Sequence, residues 1–313
     1  MRMLVTGGAG FIGSNIAERL LSLGESVTIL DDFSTGREEN LSGLGGDLEV
    51  IRGDVCDSAT VARAMRGVGA VLHHAAVASV ARSIDAPLRC DEVNVGGTLR
   101  ILEAARAAGV RRVVYAASAA AYGDEPTLPK REDMVPVPLS PYAVSKLAGE
   151  HYVTVYAGLH GLHAVALRYF NVFGARQDPA SEYAAAIPKF AHAIISGKRP
   201  TVFGDGEQTR DFCHVDNVVD ANLLALERDE ASGHVINIAG GSSVSINALI
   251  GMLTGIVGVE GKPRHVEARP GDIKHSRADI SNAHALLGWS PRVSVEEGLR
   301  RTIDSMRSVP RAG

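Results

Sequence analysis

A tyrosine and a lysine four positions apart are the residues of this chain best suited to moving a proton. Tyr142 and Lys146 follow Ser140-Pro141, a serine cap and a first-turn proline, so both side chains lie on one face of a predicted helix. An ammonium group beside a phenol favours the phenolate, and we therefore expect Lys146 to lower the pKa of Tyr142. Ser118, at the end of a predicted strand, can share a substrate hydroxyl with Tyr142. Taken alone, the Tyr–Lys spacing also fits an ordinary amphipathic helix.

The glycine-rich turn near the start of the chain has the spacing of a dinucleotide cradle. Gly7, Gly10 and Gly13 follow a short apolar strand and open a helix, whose first amides can bind phosphate. A second apolar strand then ends in Asp31, 18 residues after Gly13, where a carboxylate can accept both ribose hydroxyls. That acid would repel a 2′-phosphate, so the pattern predicts NAD rather than NADP. The alternative is a glycine turn without a ligand.

Apolar strands alternate with helical patterns through the first half of the chain. Further strands are predicted at 47–52, 70–74, 112–118, 162–168 and 235–239, and later helices at 187–196 and 245–257. Strands that are apolar on both faces indicate an α/β fold, a doubly wound parallel (Rossmann) sheet with a smaller C-terminal substrate-binding lobe. We expect an NAD-binding domain of residues 1–167 plus about 213–240, and a lobe of 168–212 plus about 241–313.

Composition favours a small-molecule partner. The net charge is −4 and the basic residues are scattered, which gives no indication of a nucleic-acid or membrane partner. Three cysteines stand far apart without metal-ligand spacing, and no signal segment is apparent, so a cytoplasmic location is expected. His73-His74 and His160-x-x-His163 lack the other ligands of a four-ligand site, and no metal is expected.

These motifs resemble those of the extended short-chain dehydrogenases/reductases and, among them, the nucleotide-sugar 4-epimerases acting on UDP-glucose or UDP-N-acetylglucosamine. The resemblance spans nearly the whole chain and implies a tightly held NAD, a Tyr142 base at the sugar 4-hydroxyl, a 4-keto intermediate, and Lys146 on the nicotinamide ribose. It also implies cofactor contacts by Gly7, Gly10, Phe11, Ile12, Gly13, Asp31, Asp32, Asp54, Val55, Ala75, Ala76, Asn94, Tyr142 and Lys146. Asn94 fits a role at the start of a helix nearly as well.

The C-terminal motifs resemble the diphosphate clamp of these epimerases. Arg210 and Arg269 can fork onto diphosphate oxygens, and the Asn171 amide can donate a further bond. By the same resemblance, Asp272 would hold the nucleotide ribose. Without the family pattern, either arginine would be read as a solvated surface residue.

Within the family, the chain is similar to epimerases of UDP-N-acetylglucosamine, with related stretches at 122–124, 139–142, 176–179 and 183–185. The position that limits substrate size falls at Ser276, where the tyrosine of strict glucose/galactose enzymes would crowd a C2 acetamido group. Serine leaves that space open without excluding the smaller sugar. We therefore expect activity on UDP-GlcNAc/UDP-GalNAc and also on UDP-Glc/UDP-Gal.

Other readings of the same motifs remain. A 4,6-dehydratase forms the same 4-keto sugar, but Ala119-Ala120 follow Ser118 where dehydratases have an Asp-Glu pair. Uronic-acid epimerases or decarboxylases share the scaffold, as do NAD-binding regulators without catalysis. Family habit further implies a homodimer through a four-helix interface, built from the apolar helix around 99–105 and the helix after Tyr142.

Overall fold

A parallel sheet of seven strands forms the centre of the protein. The computed structural model describes residues 1–178, 186–259, 262–268 and 274–308. Its strands are β1 (Arg2–Thr6), β2 (Ser26–Asp31), β3 (Leu48–Arg52), β4 (Val68–His73), β5 (Arg112–Ser118), β6 (His163–Tyr169), β7 (Val172–Phe173), β8 (Thr201–Phe203), β9 (Thr209–Arg210), β10 (Cys213–His214), β11 (Val235–Ile238), β12 (Val244–Ser245) and β13 (Arg264–Val266).

The helices lie mostly between these strands. They are α1 (Phe11–Ser22), α2 (Ser58–Ala64), α3 (Val80–Asp85), α4 (Pro87–Asp91), α5 (Thr98–Ala108), α6 (Pro141–His160), α7 (Ala186–Ile195), α8 (Val215–Glu227), α9 (Ile246–Val257) and α10 (Val295–Ser308). Segments Glu92–Gly97 and Ala283–Leu287 are π-helical, and short 3₁₀ turns lie at Glu38–Asn40, Ala119–Tyr122 and Asp229–Ala231. The strands and helices predicted from the sequence differ from these bounds by at most two residues.

The strand order of the large sheet is β11-β6-β5-β4-β1-β2-β3, with every neighbouring pair parallel. The chain therefore winds outward from β1 in one direction and from β4 in the other. This confirms the predicted doubly wound sheet. At such a reversal the carboxyl ends of the strands open a crevice, where ligands bind in open α/β folds.

Both faces of the sheet are covered by helices, because alternate strand residues point to opposite sides. Val5 packs with Ile16 of α1 on one face, whereas Leu4 lies with Ile101 of α5 on the other, and all four side chains are fully buried. Each such side chain contributes about 1.5–3 kcal/mol to folding. The continuous apolar runs of the sequence are therefore the strands of a two-sided core.

A second apolar cluster lies outside the large sheet, in the C-terminal part of the chain. Helices α7, α9 and α10 pack together there, and Ile187, Leu249 and Leu299 are buried among them. Two-stranded pairings β7–β10, β9–β12 and β8–β13 accompany these helices. None of the helices in the described parts of the chain is both long and apolar enough to cross a bilayer.

Candidate active site

The glycine turn closes tightly against the end of β4. Gly7 has a φ of +66°, and a Cβ there would lie 2.7 Å from the amide nitrogen of Ala75. At Gly13 a Cβ would lie 2.2 Å from the carbonyl oxygen of Gly7, so only glycine allows α1 to start this close to β1. Gly10 caps α1 without a side chain, which leaves the first-turn amides to an anion. Phe11 is the first residue of α1. The glycine turn and the start of α1 together form a cradle that fits a dinucleotide pyrophosphate.

Asp31 ends β2 beside this turn, as predicted. Its Oδ2 accepts a hydrogen bond from the Ala9 amide at 2.9 Å, and its Oδ1 accepts one from the Phe33 amide at 2.8 Å. Burial raises the pKa of this carboxyl, although the two amides favour its charged form. The neighbouring Asp32 is exposed, and its Oδ1 accepts hydrogen bonds from the amide and the hydroxyl of Ser34. Asp31 therefore ties the glycine turn to β2 at the predicted ribose position.

The remaining cofactor candidates lie along the edge of the crevice. Asp54 pairs with Arg89 of α4, and the adjoining Val55 is buried. Ala75 donates its amide to Thr6 Oγ1 at 3.1 Å, which places it next to the glycine turn, and Ala76 follows it. Ile12, in the first turn of α1, is half-buried.

Asn94 acts as a cross-link in the interior. Its Oδ1 accepts a hydrogen bond from the Val77 amide at 2.7 Å, and its Nδ2 donates to Ser145 Oγ at 2.9 Å. The side chain lies within the π-helical segment and is 1% exposed. Asn94 thus links the chain after β4 to α6. Of the two roles predicted from the sequence, a cofactor contact and a structural role at the start of a helix, these bonds are nearer to the structural one.

The three predicted proton-transfer residues come from β5 and α6. Ser118 is the last residue of β5, and Tyr142 is the second residue of α6, where its phenol hydrogen-bonds with Ser118. Lys146, one turn further on, is buried and donates from Nζ to the Ala116 carbonyl oxygen at 2.7 Å. The structure therefore brings all three to the carboxyl edge of the sheet.

The pKa of Tyr142 is raised, so the predicted direction is wrong in this arrangement. Burial of the phenol is the largest cause and outweighs the hydrogen bond from Ser118, which lowers the pKa. The Lys146 ammonium is held at the Ala116 carbonyl oxygen and lies 4.9 Å from the Tyr115 ring centroid. Burial lowers the pKa of Lys146 itself to about 8.

Two contacts that the sequence analysis missed hold α6 in place. Ser83 of α3 is fully buried, and its hydroxyl oxygen accepts a hydrogen bond from the Tyr142 amide at 3.1 Å. Glu150 and Arg168 form a buried two-bond ion pair, with distances of 2.9 and 2.7 Å. The spacing of four residues between Lys146 and Glu150 indicates that Glu150 lies on the same face of α6 as Lys146, and so could have drawn attention to it. No comparable sequence pattern points to Ser83.

The predicted substrate residues lie where β6 and β9 end. Asn171 has a φ of +31° and donates from Nδ2 to the Asp211 carbonyl oxygen at 2.9 Å. Arg210 is half-buried in β9. Ser276 donates its amide to the carbonyl oxygen of Thr209 at 3.1 Å, which puts it beside Arg210. Arg269 and Asp272, like the motif residues 179–185, lie outside the described residues.

The paired histidines serve the interior. His73 bonds Thr6 Oγ1 and Thr98 Oγ1, at 2.7 and 3.0 Å, and burial lowers its pKa well below the ordinary value. His74 meets the hydroxyl of Tyr169 at 3.0 Å, and burial lowers its pKa to about 3. Both rings are therefore neutral at physiological pH. Among the described residues, no group of His, Cys, Asp and Glu has the geometry of a metal site.

Comparisons with known proteins agree with this geometry over nearly the whole chain. The family model described as the NAD dependent epimerase/dehydratase family matches residues 3–239. A Mycolicibacterium smegmatis protein named UDP-glucose 4-epimerase is 42% identical over 312 residues, which cover 98% of this chain and 99% of that protein.

Two solved structures are also similar. UDP-N-acetylglucosamine 4-epimerase from Methanobrevibacter ruminantium, in complex with UDP-N-acetylmuramic acid, has a TM-score of 0.94 and 40% identity, covering 98% of each chain. UDP-glucose 4-epimerase from Thermotoga maritima, with UDP-glucose, has a TM-score of 0.93 and 37% identity, covering 98% of this chain and 99% of that one.

Proposed function

This chain belongs to the NAD dependent epimerase/dehydratase family, and we propose that it interconverts UDP-GlcNAc and UDP-GalNAc, and also UDP-Glc and UDP-Gal. The coarser activity is that of a UDP-sugar 4-epimerase, an isomerase that uses NAD. The choice of sugar is the part proposed. Relatives carry names for both kinds of sugar, so the family alone does not decide it.

The observation that carries the proposal is the small side chain at Ser276. This residue is half-buried beside β9, and its carbonyl oxygen accepts a hydrogen bond from Ser243 Oγ at 2.8 Å. A serine at the family's size-limiting position leaves room for an acetamido group at C2. An unfilled pocket discriminates by only about 1–3 kcal/mol, so the smaller hydroxylated sugar is also accepted.

The proton transfers are assigned to the three residues at the edge of the sheet. Tyr142 removes the proton from the sugar 4-hydroxyl, and Ser118 holds that oxygen through a second hydrogen bond. NAD, when bound, accepts the C4 hydride and returns it to the other face of the sugar. Because burial raises the pKa of Tyr142, a positive charge close to the phenol is needed to favour the phenolate, and Lys146 is the candidate.

Binding of the UDP moiety is assigned to the C-terminal residues. Arg210 and the Asn171 amide are the proposed diphosphate ligands, since an arginine fork complements the two negative charges of a diphosphate. Arg269 and Asp272 keep their sequence-based assignments, to the diphosphate and the nucleotide ribose. These contacts hold the UDP part fixed while the 4-keto sugar turns to present its opposite face.

The test is conversion of two substrates measured separately. Purified protein is incubated with UDP-GlcNAc or UDP-Glc, and the C4 epimers are resolved by proton NMR. We expect both to convert. Conversion of UDP-Glc alone would contradict the proposed pocket, and conversion of neither, even with added NAD, would contradict both substrate assignments.

A substitution at the size-limiting position sharpens this test. Ser276→Tyr fills the space for the acetamido group, so we expect UDP-GlcNAc turnover to fall by about 10–100-fold while UDP-Glc turnover is kept. Ser276→Ala is the matched control, because it leaves the space open. Equal losses on both substrates in the tyrosine variant would mean that Ser276 does not face C2.

A homodimer is the proposed assembly. Helix α6 carries an exposed apolar stripe, Val144, Val155 and Leu159, with exposed fractions of 53%, 47% and 75%. Leu88 of the neighbouring α4 is 86% exposed. An amphipathic helix with an apolar outer stripe favours pairing with the same stripe of a second copy.

The proposed location is the cytoplasm. Cys56, Cys90 and Cys213 are all free thiols, and the last two are buried. Free thiols are typical of a reducing compartment. Detection of the protein in the soluble fraction of gently lysed cells would support this location, whereas its release with secreted proteins would contradict it.

A further inference from the structure

The buried carboxylate of Asp211 joins chain segments that are far apart in sequence. Its Oδ1 accepts a hydrogen bond from the Gly240 amide at 2.7 Å, and its Oδ2 accepts one from the Ala278 amide at 3.0 Å. Its carbonyl oxygen accepts the bond from Asn171 Nδ2. The side chain is fully buried. One residue therefore links the ends of β6 and β11 to the segment that follows residue 274.

Each of these links is close to a proposed substrate contact. Asp211 directly follows Arg210, Asn171 is itself a candidate ligand, and Ala278 lies two residues after Ser276. Gly240 is also held closely, since a Cβ there would lie 2.5 Å from the Phe212 carbonyl oxygen. The carboxylate makes no proposed contact with substrate. Its geometry is that of a brace behind the UDP-sugar site.

We infer that Asp211 is a positioning residue that sets the spacing between Arg210, Asn171 and the Ser276 segment, and thereby the affinity for the UDP-sugar. The inference rests on the proposed function of these residues. Both oxygens of one ionised carboxylate act as acceptors here, because two backbone amides approach it from different segments. An asparagine offers one acceptor oxygen and turns an N–H donor toward the other amide, and a protonated carboxyl places a proton on one of the two oxygens.

The groups around Asp211 determine the pH at which its carboxyl is ionised. Burial is the largest influence and raises the pKa of Asp211 to about 6, whereas Arg277 is the cation that favours its charge. Cys213 lies two residues further along the chain, at the start of β10, and burial is the main cause that raises the pKa of its thiol, with Asp211 adding to it. His275 meets Thr209 Oγ1 at 3.1 Å in the same cluster, and Arg210 donates to the Thr209 carbonyl oxygen. The brace is thus an ionised group whose charge changes within an accessible pH range.

The first arm of the test is Asp211→Asn, prepared in a Tyr142→Phe background so that ligand binds without turnover. Calorimetry with UDP-GlcNAc and with UDP-glucose is expected to show dissociation constants raised about tenfold or more. Asp279→Asn is the matched control on the same segment, since its carboxylate bonds the nearby Ser281, two residues further along the chain, rather than a distant segment. We expect little change there. Unchanged affinity in Asp211→Asn would overturn the inference.

The second arm keeps Asp211 and lowers the pH, which covers the case where the asparagine variant does not fold. If only the ionised brace supports binding, a pKa of about 6 predicts about tenfold weaker binding at pH 5 than at pH 7. The diphosphate of a UDP-sugar does not titrate there. His275→Gln is measured at the same pH values as a control for the imidazole that lies in the same cluster. A loss that disappears in His275→Gln would overturn the inference.

The pH dependence of folding stability shows whether weaker binding at low pH comes from lost positioning or from unfolding of the protein. The pKa of Asp211 is higher in the folded chain than its ordinary value of 3.8, so the folded state takes up this proton first as the pH falls. Protonation of Asp211 therefore does not lower the free energy of unfolding between about pH 6 and 4. As the pH falls from 7 to 5, we therefore expect weaker UDP-sugar binding, with no decrease in melting temperature caused by protonation of Asp211. Binding of neither ligand at pH 7 would instead overturn the proposed function and, with it, this inference.

Discussion

Tyr142 is the residue on which the proposed chemistry depends. It lies in the first turn of α6, its backbone amide is bonded to Ser83, and its phenol is bonded to Ser118. The first contact fixes the start of α6, and the second involves the phenol itself, at the carboxyl edge of the sheet where ligands bind in open α/β folds. A buried phenol with a raised pKa is a poor base by itself, and so its use depends on charge delivered close to it.

Replacing Tyr142 by phenylalanine removes the proposed base and leaves the ring. We expect kcat for UDP-sugar epimerisation to fall by at least about 100-fold, because proton transfer by a positioned side chain contributes that much. The protein should keep its fold and its bound NAD, as read by circular dichroism and by the cofactor released on denaturation.

The control for this variant is Tyr152→Phe, on the same helix. Tyr152 is half-buried and has no assigned role in the reaction, so its epimerase activity should be close to that of the parent. Near-normal turnover by Tyr142→Phe would show that a different group takes the proton.

At the scale of elements, α6 must keep a fixed position over the sheet. Its N-terminus is held by Ser140, which accepts from the Ala143 amide, and by Ser83 of α3. Its middle is tied to β6 by the buried pair of Glu150 and Arg168, which are 2% and 3% exposed. Helix α6 is therefore attached at two points, one on each side of Lys146.

Breaking the buried pair should destabilise the protein strongly. Glu150→Gln leaves the Arg168 charge buried without its counter-ion, so we expect the free energy of unfolding to fall by about 3–5 kcal/mol. Urea denaturation followed by circular dichroism measures it. Replacing both partners, Glu150→Leu with Arg168→Met, should recover most of the loss.

An exposed ion pair serves as the comparison. Glu296 and Arg300 lie one turn apart on α10, with Arg300 Nη2 2.7 Å from Glu296 Oε1, and both are largely solvent-exposed. Glu296→Gln should change the free energy of unfolding by less than about 1 kcal/mol.

The double variant of the buried pair, Glu150→Leu with Arg168→Met, distinguishes packing from charge. If it is as unstable as Glu150→Gln, the contact between α6 and β6 requires the two charges themselves.

At the scale of the whole molecule, a large two-sided sheet meets a smaller cluster of helices, and the candidate site lies between the sheet edge and that cluster. The outer face of α6 points away from this site and carries the exposed apolar stripe defined above. Pairing of two copies through that stripe would leave the crevice at the carboxyl edge accessible.

Charged substitutions in the stripe should separate the two copies. Val155→Lys with Leu159→Lys removes two apolar side chains whose burial would each contribute about 1.5–3 kcal/mol, and we expect a shift from dimer to monomer. Sedimentation velocity measures the change.

Val135→Lys is the matched control, since Val135 is 80% exposed but lies outside α6. A parent protein that sediments as a monomer at micromolar concentration would contradict the proposed homodimer.

The sequence by itself determined those features whose cause is local. The glycine spacing, the acid at the end of β2 and the Tyr142–Lys146 spacing each depend on one strand, turn or helix, and the structure places them where local rules predict. The doubly wound parallel sheet was also predicted, because apolar runs that alternate with helices favour this arrangement. The order of its strands was not predicted.

Only the tertiary structure decided what depends on residues far apart in the chain. The bond from the Tyr142 amide to Ser83 spans 59 positions, and that from the Ala278 amide to Asp211 spans 67, so no local pattern could indicate them. The raised pKa of Tyr142 has the same origin. Burial is the sum of packing by many distant segments, and here it outweighs the short-range effect that the four-residue spacing predicted.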